Sequence, residues 1–262
     1  MKNSKIEKLA GILGSAGPAV IAFSGGVDSS FLLYMAHKTH AGSVVAATVR
    51  TPYIPSREIE QATEFAGRYG IRHQIIDIGT PAIVANNPDN RCYHCKKAIF
   101  TRLAGFAESA GCATVFDGSN ADDLNEYRPG MKALRELQVR SPLLEAGLTK
   151  NDIREHLRRE GLDIWNMPAM TCMLTRIPHN TPVTPETLTM IEEAENCLCA
   201  KGYRGARVRV HADVARIECP QQLMDKICEA AERKQIVEKL KHAGFRYITL
   251  DMEGYRTGSM NL

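Results

Sequence analysis

A glycine-rich turn between two apolar segments constrains the fold of this chain more than any other feature. It reads Ser24-Gly25-Gly26-Val27-Asp28-Ser29-Ser30 and lies between an apolar run at 19–23 and a helical pattern over about 29–38. Adjacent glycines let a backbone turn sharply and approach a ligand closely. The N–H groups of a helix start, together with serine hydroxyls, favour an anion. A carboxylate beside phosphate commonly shares Mg²⁺ with it, so we predict a site for a phosphate-bearing nucleotide with Mg²⁺ at Asp28.

Strands and helices alternate through the first two thirds of the chain. Apolar runs predict strands at 19–23, 44–49, 71–78 and 113–116, and helical patterns fall at about 3–16, 29–38, 57–69, 95–109 and 150–160. This alternation predicts an α/β fold with a doubly wound parallel sheet. Ligands bind at the carboxyl ends of the strands in such sheets. We therefore expect the loop at 118–123, with Gly118 and Asp122, to join the glycine-rich turn.

A second, smaller unit is expected after a proline-rich stretch at about 165–184, which predicts a hinge or an active-site loop. Beyond it the pattern predicts a helix at 185–200, strands at 206–210 and 214–218, a helix at 220–242 and a strand at 247–250. We therefore predict a doubly wound domain over 1–178 and a small C-terminal α+β domain over 179–262.

Composition limits the functional classes that need to be considered. The 262 residues are 44% hydrophobic and 24% charged, which suits a globular protein with a sizeable core. No apolar run reaches the length of a membrane span, and the N-terminus lacks a signal-peptide pattern. We expect a cytoplasmic protein with its eight cysteines reduced. A net charge of +3 makes a nucleic-acid partner unlikely.

Three cysteines are candidates for chemistry. Cys92 and Cys95 form a Cys-x-x-Cys with basic neighbours at a predicted helix start, and both features stabilise thiolates. The pair fits half of a zinc site, a redox pair or part of an iron–sulfur cluster, although a four-cysteine zinc ribbon would need a second pair. Cys172 lies in the proline-rich stretch four residues before Arg176, as a candidate nucleophile or metal ligand. Three cysteines suit a [4Fe–4S] cluster with one open iron, which we state as a hypothesis.

The other five cysteines are given no chemical role. Cys112 precedes a strand and is expected to be buried, and packing is the better interpretation of Cys219 and Cys228. Cys197 and Cys199 are two apart on a predicted helix and do not face each other.

Charged residues of the second unit suggest an anion site. Arg207 and Arg209 alternate with valines on a predicted strand, so both side chains project from one face. Two adjacent guanidinium groups suit a phosphate or a carboxylate. The glutamates of the preceding helix, Glu192, Glu193 and Glu195, are expected to be solvated.

The turn at 24–30 resembles the SGGxDS loop of the PP-loop ATP pyrophosphatases, which cleave ATP between the α and β phosphates and adenylate a substrate oxygen. Further stretches at 90–96, 118–123, 141–143, 172–178, 208–218 and 244–261 resemble the LarE family within that group. These are ATP-dependent sulfur transferases that mature the nickel-pincer cofactor of lactate racemase. The resemblance covers essentially the whole chain.

The resemblance implies a reaction and assigns residues to it. ATP, with Mg²⁺, would adenylate a carboxylate of the small nucleotide pyridinium-3,5-biscarboxylic acid mononucleotide, and sulfur would convert it to a thiocarboxylate. Family members with three cysteines hold a [4Fe–4S] cluster, which implies ligation by Cys92, Cys95 and Cys172; other members give up sulfur from one cysteine. It further implies a trimer or hexamer and assigns these residues: Arg207 and Arg209 to the substrate phosphate, Lys96 and Arg176 to the reacting end, and Glu195 to a metal.

Two other functions stay open at this point. Some tRNA 2-thiolation enzymes also combine a PP-loop with a Cys-x-x-Cys and a distant cysteine, and tight, salt-dependent tRNA binding would favour that function. A nucleotide-binding assembly protein with a zinc-type thiolate site would release no pyrophosphate with any substrate.

Overall fold

The computed structural model describes residues 2–39, 43–125, 129–256 and 259–260. The chain divides into two compact units. Unit 1 comprises Met1–Thr51, Ser56–Pro81 and Asn90–Met170. Unit 2 comprises Pro52–Pro55, Ala82–Asp89 and Thr171–Leu262.

Unit 1 is built on a parallel four-stranded sheet. Its elements are α1 (Lys2–Gly14), β1 (Ala19–Ala22), α2 (Val27–Thr39), β2 (Val44–Arg50), α3 (Ser56–Arg68), β3 (His73–Asp77), α4 (Arg91–Ser109), β4 (Thr114–Phe116), α5 (Gly130–Glu136), α6 (Pro142–Glu145) and α7 (Lys150–Arg159). The strand order is β3-β2-β1-β4, with Ala19 opposite both Val44 and Thr114. The predicted doubly wound parallel sheet is therefore confirmed.

Apolar residues alternate between the two faces of this sheet. Ala19 and Ile21 of β1 pack in a core with Phe31 of α2, whereas Val20 packs on the opposite face with Leu103 of α4. Burial on both faces explains why the strands read as continuous apolar runs. In the strand order, β1 lies between β2 and β4, so the turn that follows β1 lies between two neighbouring strands.

Two boundaries in unit 1 decide where candidate residues lie. The predicted start of α7 is confirmed, because Thr149 accepts from Asp152 N and the Asp152 carboxylate accepts from Thr149 N. In contrast, α4 begins at Arg91 rather than near 95, and Tyr93 N already donates to Asn90 O at 3.0 Å. The helix start predicted at about 95 was wrong, because the cluster of turn-forming residues ends at Asn90.

Unit 2 contains a mixed three-stranded sheet with helices. Its elements are α8 (Pro185–Ala200), β5 (Arg207–His211), β6 (Val214–Glu218), α9 (Met224–Cys228), α10 (Ala230–His242) and β7 (Tyr247–Leu250). β6 pairs antiparallel with β5 and parallel with β7. The single helix predicted over 220–242 was wrong, since Glu229 is extended and separates α9 from α10. Within the described residues, no helix has the length and apolar character needed to cross a membrane.

Candidate functional site

The glycine-rich turn holds its shape through its own hydrogen bonds. Ser24 Oγ lies 3.0 Å from Ser29 Oγ, and Gly26 N donates to Ser24 Oγ at 3.3 Å. Ser29 Oγ also donates to Gly26 O at 3.2 Å, and Ser30 N begins the helical bonding of α2 by donating to Gly26 O at 2.9 Å. The two serine hydroxyls predicted to face a ligand therefore also order the turn.

Two glycines let the surrounding backbone close around this turn. Gly25 has φ +78°, and a Cβ there would lie 3.2 Å from the backbone N of Ala62 in α3. A Cβ on Gly118 would lie 3.0 Å from Ser29 N and 3.1 Å from Ser29 Cα. The loop after β4 thus touches the start of α2, as adjacent parallel strands predict. Neither glycine can take a side chain without local movement.

The carboxyl group of Asp28, at the start of α2, has a raised pKa. Its Oδ2 accepts from Asn120 Nδ2 at 3.1 Å. Burial raises the pKa of Asp28 to about 6, with a further rise from the charge of Asp123, against the opposing charges of Lys150 and Arg154 and the bond from Asn120. A buried carboxylate whose ionisation is further disfavoured by the charge of a second carboxylate suits a divalent cation.

Asp123 is the partner of Asp28 that sequence reasoning missed. We singled out Asp122, but its Oδ2 accepts from Lys150 N at 2.8 Å, at the start of α7. Asp123 is only 3% exposed, and its Oδ2 accepts from Asn120 N at 3.1 Å. The sequence offers both aspartates in one short loop, and only the 3-10 turn at Ala121–Asn125 distinguishes their directions.

Cys92 and Cys95 both lie in the first turns of α4. Residues three apart on a helix share a face, so the two side chains project from the same side. Cys92 is exposed and Cys95 is half-buried. Lys96 packs against Gly130, where a Cβ would come within 2.6 Å of the lysine Cδ, and its ammonium lies 6.0 Å from the ring of Phe100.

Cys172 belongs to unit 2, whereas the other two candidate cysteines belong to unit 1. It directly precedes the 3-10 helix Met173–Arg176 and is half-buried. The two residues after it are both 1% exposed, and Met173 N donates to Tyr53 O at 2.8 Å. Among the residues that the structure describes, no group of three or more His, Cys, Asp or Glu forms a metal-binding cluster.

Arg176 and Glu195 form an ion pair inside unit 2. Arg176 Nε lies 2.8 Å from Glu195 Oε1, Nη2 lies 3.1 Å from Oε2, and the residues are 1% and 3% exposed. Burial raises the pKa of Glu195, but the charge and hydrogen bonds of Arg176 outweigh it and hold that pKa below its usual value. The expectation that Glu195 is solvated was wrong, because it lies on the face of α8 that buries Ile191 and Leu198.

Arg207 and Arg209 are also buried, at 5% and 4% exposure. Arg209 Nη2 donates to Glu218 Oε2 at 2.7 Å, and its Nη1 donates to Thr175 O at 2.8 Å. Arg207 Nη1 donates to Ala206 O, and its guanidinium lies over the ring of Tyr255. Binding of a substrate phosphate by these arginines stays a prediction.

The remaining cysteines occupy different environments. Cys112 and Cys219 are buried, as expected, and Cys197 and Cys199 are half-buried. Cys228 is exposed, so its assignment to packing was wrong. It is the last residue of the short helix α9, whose break was not predicted.

The parallel sheet and the glycine-rich turn define an ATP-binding α/β protein, and comparison with known proteins identifies its family. The asparagine synthase family model matches residues 11–160. The chain belongs to this family of PP-loop ATP pyrophosphatases, which are ATP-dependent enzymes.

Two relatives resemble this chain over nearly its full length, and a third resembles about half of it. An uncharacterised protein of Synechocystis sp. is 36% identical over all of this chain and 98% of its own. The pyridinium-3,5-bisthiocarboxylic acid mononucleotide synthase of Lactiplantibacillus plantarum is 35% identical over 92% of this chain and 88% of its own. The argininosuccinate synthase of Haloarcula marismortui is 25% identical over 56% of this chain and 38% of its own.

Proposed function

We propose that this protein is an ATP-dependent sulfur transferase that converts a carboxylate of pyridinium-3,5-biscarboxylic acid mononucleotide into a thiocarboxylate, for nickel-pincer nucleotide synthesis. The observation that carries the proposal is the similarity to the Lactiplantibacillus synthase, which extends over 92% of the chain and so is not confined to the ATP-binding unit. A shared ATP-binding unit alone would support only the use of ATP.

Adenylation makes the substrate carboxylate reactive, because oxide is a poor leaving group and AMP is a good one. We assign ATP phosphate binding to the turn and the neighbouring loop: Ser24, Gly25, Gly26, Ser29, Ser30, Gly118 and Asp122. The raised pKa of Asp28, partly caused by Asp123, fits a Mg²⁺ site at these two carboxylates. When bound, Mg²⁺ would neutralise charge on the departing pyrophosphate. The N–H groups at the start of α2 would stabilise the same charge.

Sulfur delivery is assigned to Cys92, Cys95 and Cys172. Their thiol chemistry and partial exposure suit ligation of a [4Fe–4S] cluster, which would supply sulfide. Sulfide from that source would attack the acyl carbon, the carbon–oxygen bond to AMP would break, and the thiocarboxylate would remain. In the sacrificial version, the Cys172 thiolate attacks instead. Loss of its Cα proton and cleavage of its Cβ–S bond then leave the thiocarboxylate on the substrate and dehydroalanine in the chain.

The remaining assignments follow from the same proposal. Lys96 would lie at the reacting carboxylate, and Arg207 and Arg209 would bind the substrate phosphate as a remote anchor. The metal role that the resemblance gives Glu195 is not carried over, because both of its carboxylate oxygens bind Arg176 and the residue is buried. The domains 1–178 and 179–262, a trimeric or hexameric assembly and a cytoplasmic location stay predictions.

The decisive experiment combines product analysis with metal analysis under anaerobic conditions. The wild type, given ATP and the biscarboxylic acid mononucleotide, should form AMP, pyrophosphate and the thiocarboxylate, and should contain about four irons per chain. Cys172→Ala should form no thiocarboxylate, whereas Cys228→Ala, which removes an exposed cysteine of the same unit, should match the wild type.

Two outcomes would change the proposal in different ways. An absence of pyrophosphate release with this substrate would overturn the proposed function. An iron-free, active enzyme in which Cys172 loses the mass of H₂S after turnover would overturn the cluster and establish the sacrificial version.

A further inference from the structure

The backbone around Cys172 is held by several hydrogen bonds from two residues. The Cys172 carbonyl accepts from Thr175 N at 3.2 Å, Thr175 Oγ1 at 3.0 Å and Arg176 Nη1 at 3.0 Å. Arg176 Nη1 also donates to Thr171 O at 3.0 Å and lies 2.6 Å from Thr171 Oγ1. A single nitrogen thus binds the peptide groups on both sides of Cys172.

The other half of the same guanidinium is fixed within unit 2. Glu195 holds Nε and Nη2 in a bidentate arrangement, and its Oε1 also accepts from Val208 N at 3.1 Å. Glu195 is therefore bonded to β5 as well as to Arg176. The bidentate geometry fixes the plane of the guanidinium and so the direction of Nη1. The position of the Cys172 backbone is set by this chain of contacts from β5.

We propose that Arg176 and Glu195 are positioning residues, which act on sulfur transfer by fixing Cys172 through its backbone and do not contact the reacting carboxylate. The inference rests on the proposed function only in taking Cys172 as a sulfur-handling residue. Arg176 is 1% exposed, and its Nε, Nη1 and Nη2 all bind groups of unit 2. A lysine could keep the charge but could not bind Glu195 and two carbonyls in one plane.

The first test measures the alkylation rate of the Cys172 thiol in the absence of substrate. The full-length chain is treated with a chelator and a reductant, then alkylated with iodoacetamide, and the rate at each cysteine is followed by peptide mass spectrometry. Arg176→Lys and Glu195→Gln should raise the alkylation rate of Cys172 at least about threefold through local opening. The rate of Cys228, an internal reference in the same unit, should not change. Glu193→Gln, on an exposed position of α8, is the matched control.

The second test separates positioning from substrate contact. In Arg176→Lys, sulfur transfer should fall by about a hundredfold, as for a reacting group displaced by roughly 1 Å. Pyrophosphate release on adding substrate should keep its wild-type KM. Loss of pyrophosphate release in the variant with an unchanged Cys172 alkylation rate would show that Arg176 contacts the substrate, and the inference would be wrong.

A milder variant covers the case in which the buried pair cannot be altered without unfolding. Thr175→Val removes the hydroxyl that bonds the Cys172 carbonyl and lies 2.7 Å from Arg176 Nη1, and it keeps the side-chain shape. It should raise Cys172 alkylation in a folded chain, and Thr189→Val on α8 should not. Wild-type alkylation in Thr175→Val would overturn the inference. A wild type that releases no pyrophosphate would remove the proposed function, yet the alkylation result would still stand.

Discussion

Charged side chains are arranged differently at the glycine-rich turn of unit 1 and around Cys172 in unit 2. At the turn, Asp28 shares its surroundings with Asp123, and the charges nearby do not prevent its pKa from rising to about 6. In the Cys172 segment, Arg176 and Glu195 neutralise each other, and Arg209 pairs with Glu218. Burial of Asp28 near a second carboxylate suits a cationic ligand at the turn. The buried ion pair of Arg176 and Glu195 instead supports the backbone of Cys172.

The largest effect on stability is expected from breaking the matched pair. Glu195→Ala leaves Arg176 buried with an uncompensated charge, so the free energy of unfolding should fall by about 3–5 kcal/mol. Urea unfolding of the variant against Glu193→Ala measures this difference. If both variants lose the same free energy of unfolding, the buried pair of Arg176 and Glu195 does not stabilise unit 2.

At the glycine-rich turn, we expect a substitution that increases the stability of the protein. Asp28→Asn keeps an oxygen acceptor for Asn120 and removes a carboxylate whose pKa is raised from 3.8 to about 6. A raised pKa means that the wild type is relatively most stable below pH 3.8 and loses that stability as pH rises through 6. At pH 8 the variant should therefore be more stable by about 3 kcal/mol.

This gain should shrink as the pH falls from 8 towards 5, and Mg²⁺ with ATP should stabilise the wild type but not the variant. Unfolding curves at both pH values, with and without MgATP, provide the measurement. If the variant is less stable than the wild type at pH 8 without ligand, then the ionised carboxylate of Asp28 does not destabilise the folded protein.

A smaller loss of stability is expected when a side chain is added at the contact between the loop after β4 and the start of α2. Gly118→Ala places a Cβ 3.0 Å from Ser29 N, so the backbone must move, at a cost of about 1–2 kcal/mol. ATP-dependent pyrophosphate release should fall with it. Gly105→Ala, in α4 with no atom within 4 Å of the added Cβ, should keep full activity. Equal activity in both variants would exclude a role for this contact.

The smallest effect is expected from an ion pair that is geometrically similar but exposed. Arg50 binds Asp77 through two hydrogen bonds at the ends of β2 and β3. Because solvent screens this pair, Arg50→Ala should leave the urea midpoint unchanged at moderate salt. A shift comparable to that of Glu195→Ala would mean that burial does not separate structural from surface pairs in this protein.

Local features of the chain predicted the turn, and long-range packing decided what was missed. Ser24 to Ser30 could be interpreted because a strand, two glycines and a helix start follow one another directly in the sequence. Asp123 was missed because its relation to Asp28 depends on pairing between β1 and β4. Glu195 was taken for a solvated residue because its neighbours Glu192 and Glu193 are charged, although it lies in register with Ile191 and Leu198. Its partner Arg176 lies 19 residues earlier in the chain.

The interruption between α9 and α10 at Glu229 was missed for a different reason. Neither glycine nor proline occurs between 221 and 242, so local propensity favours one continuous helix. The extended conformation of Glu229 leaves Cys228 exposed at the end of α9. No helix-breaking residue marks this boundary in the sequence, so local propensity could not predict it.

The contact between Gly118 and Ser29 also has a consequence for how the chain folds. The two residues are far apart in sequence and meet only after β4 has paired with β1, although β2 and β3 lie between them along the chain. Such non-local pairing is slow, because a long loop must close before the contact forms. The complete nucleotide site, with Gly118 against Ser29, therefore requires β4 to be paired with β1. A ligand that binds there stabilises chains in which the sheet of unit 1 is complete.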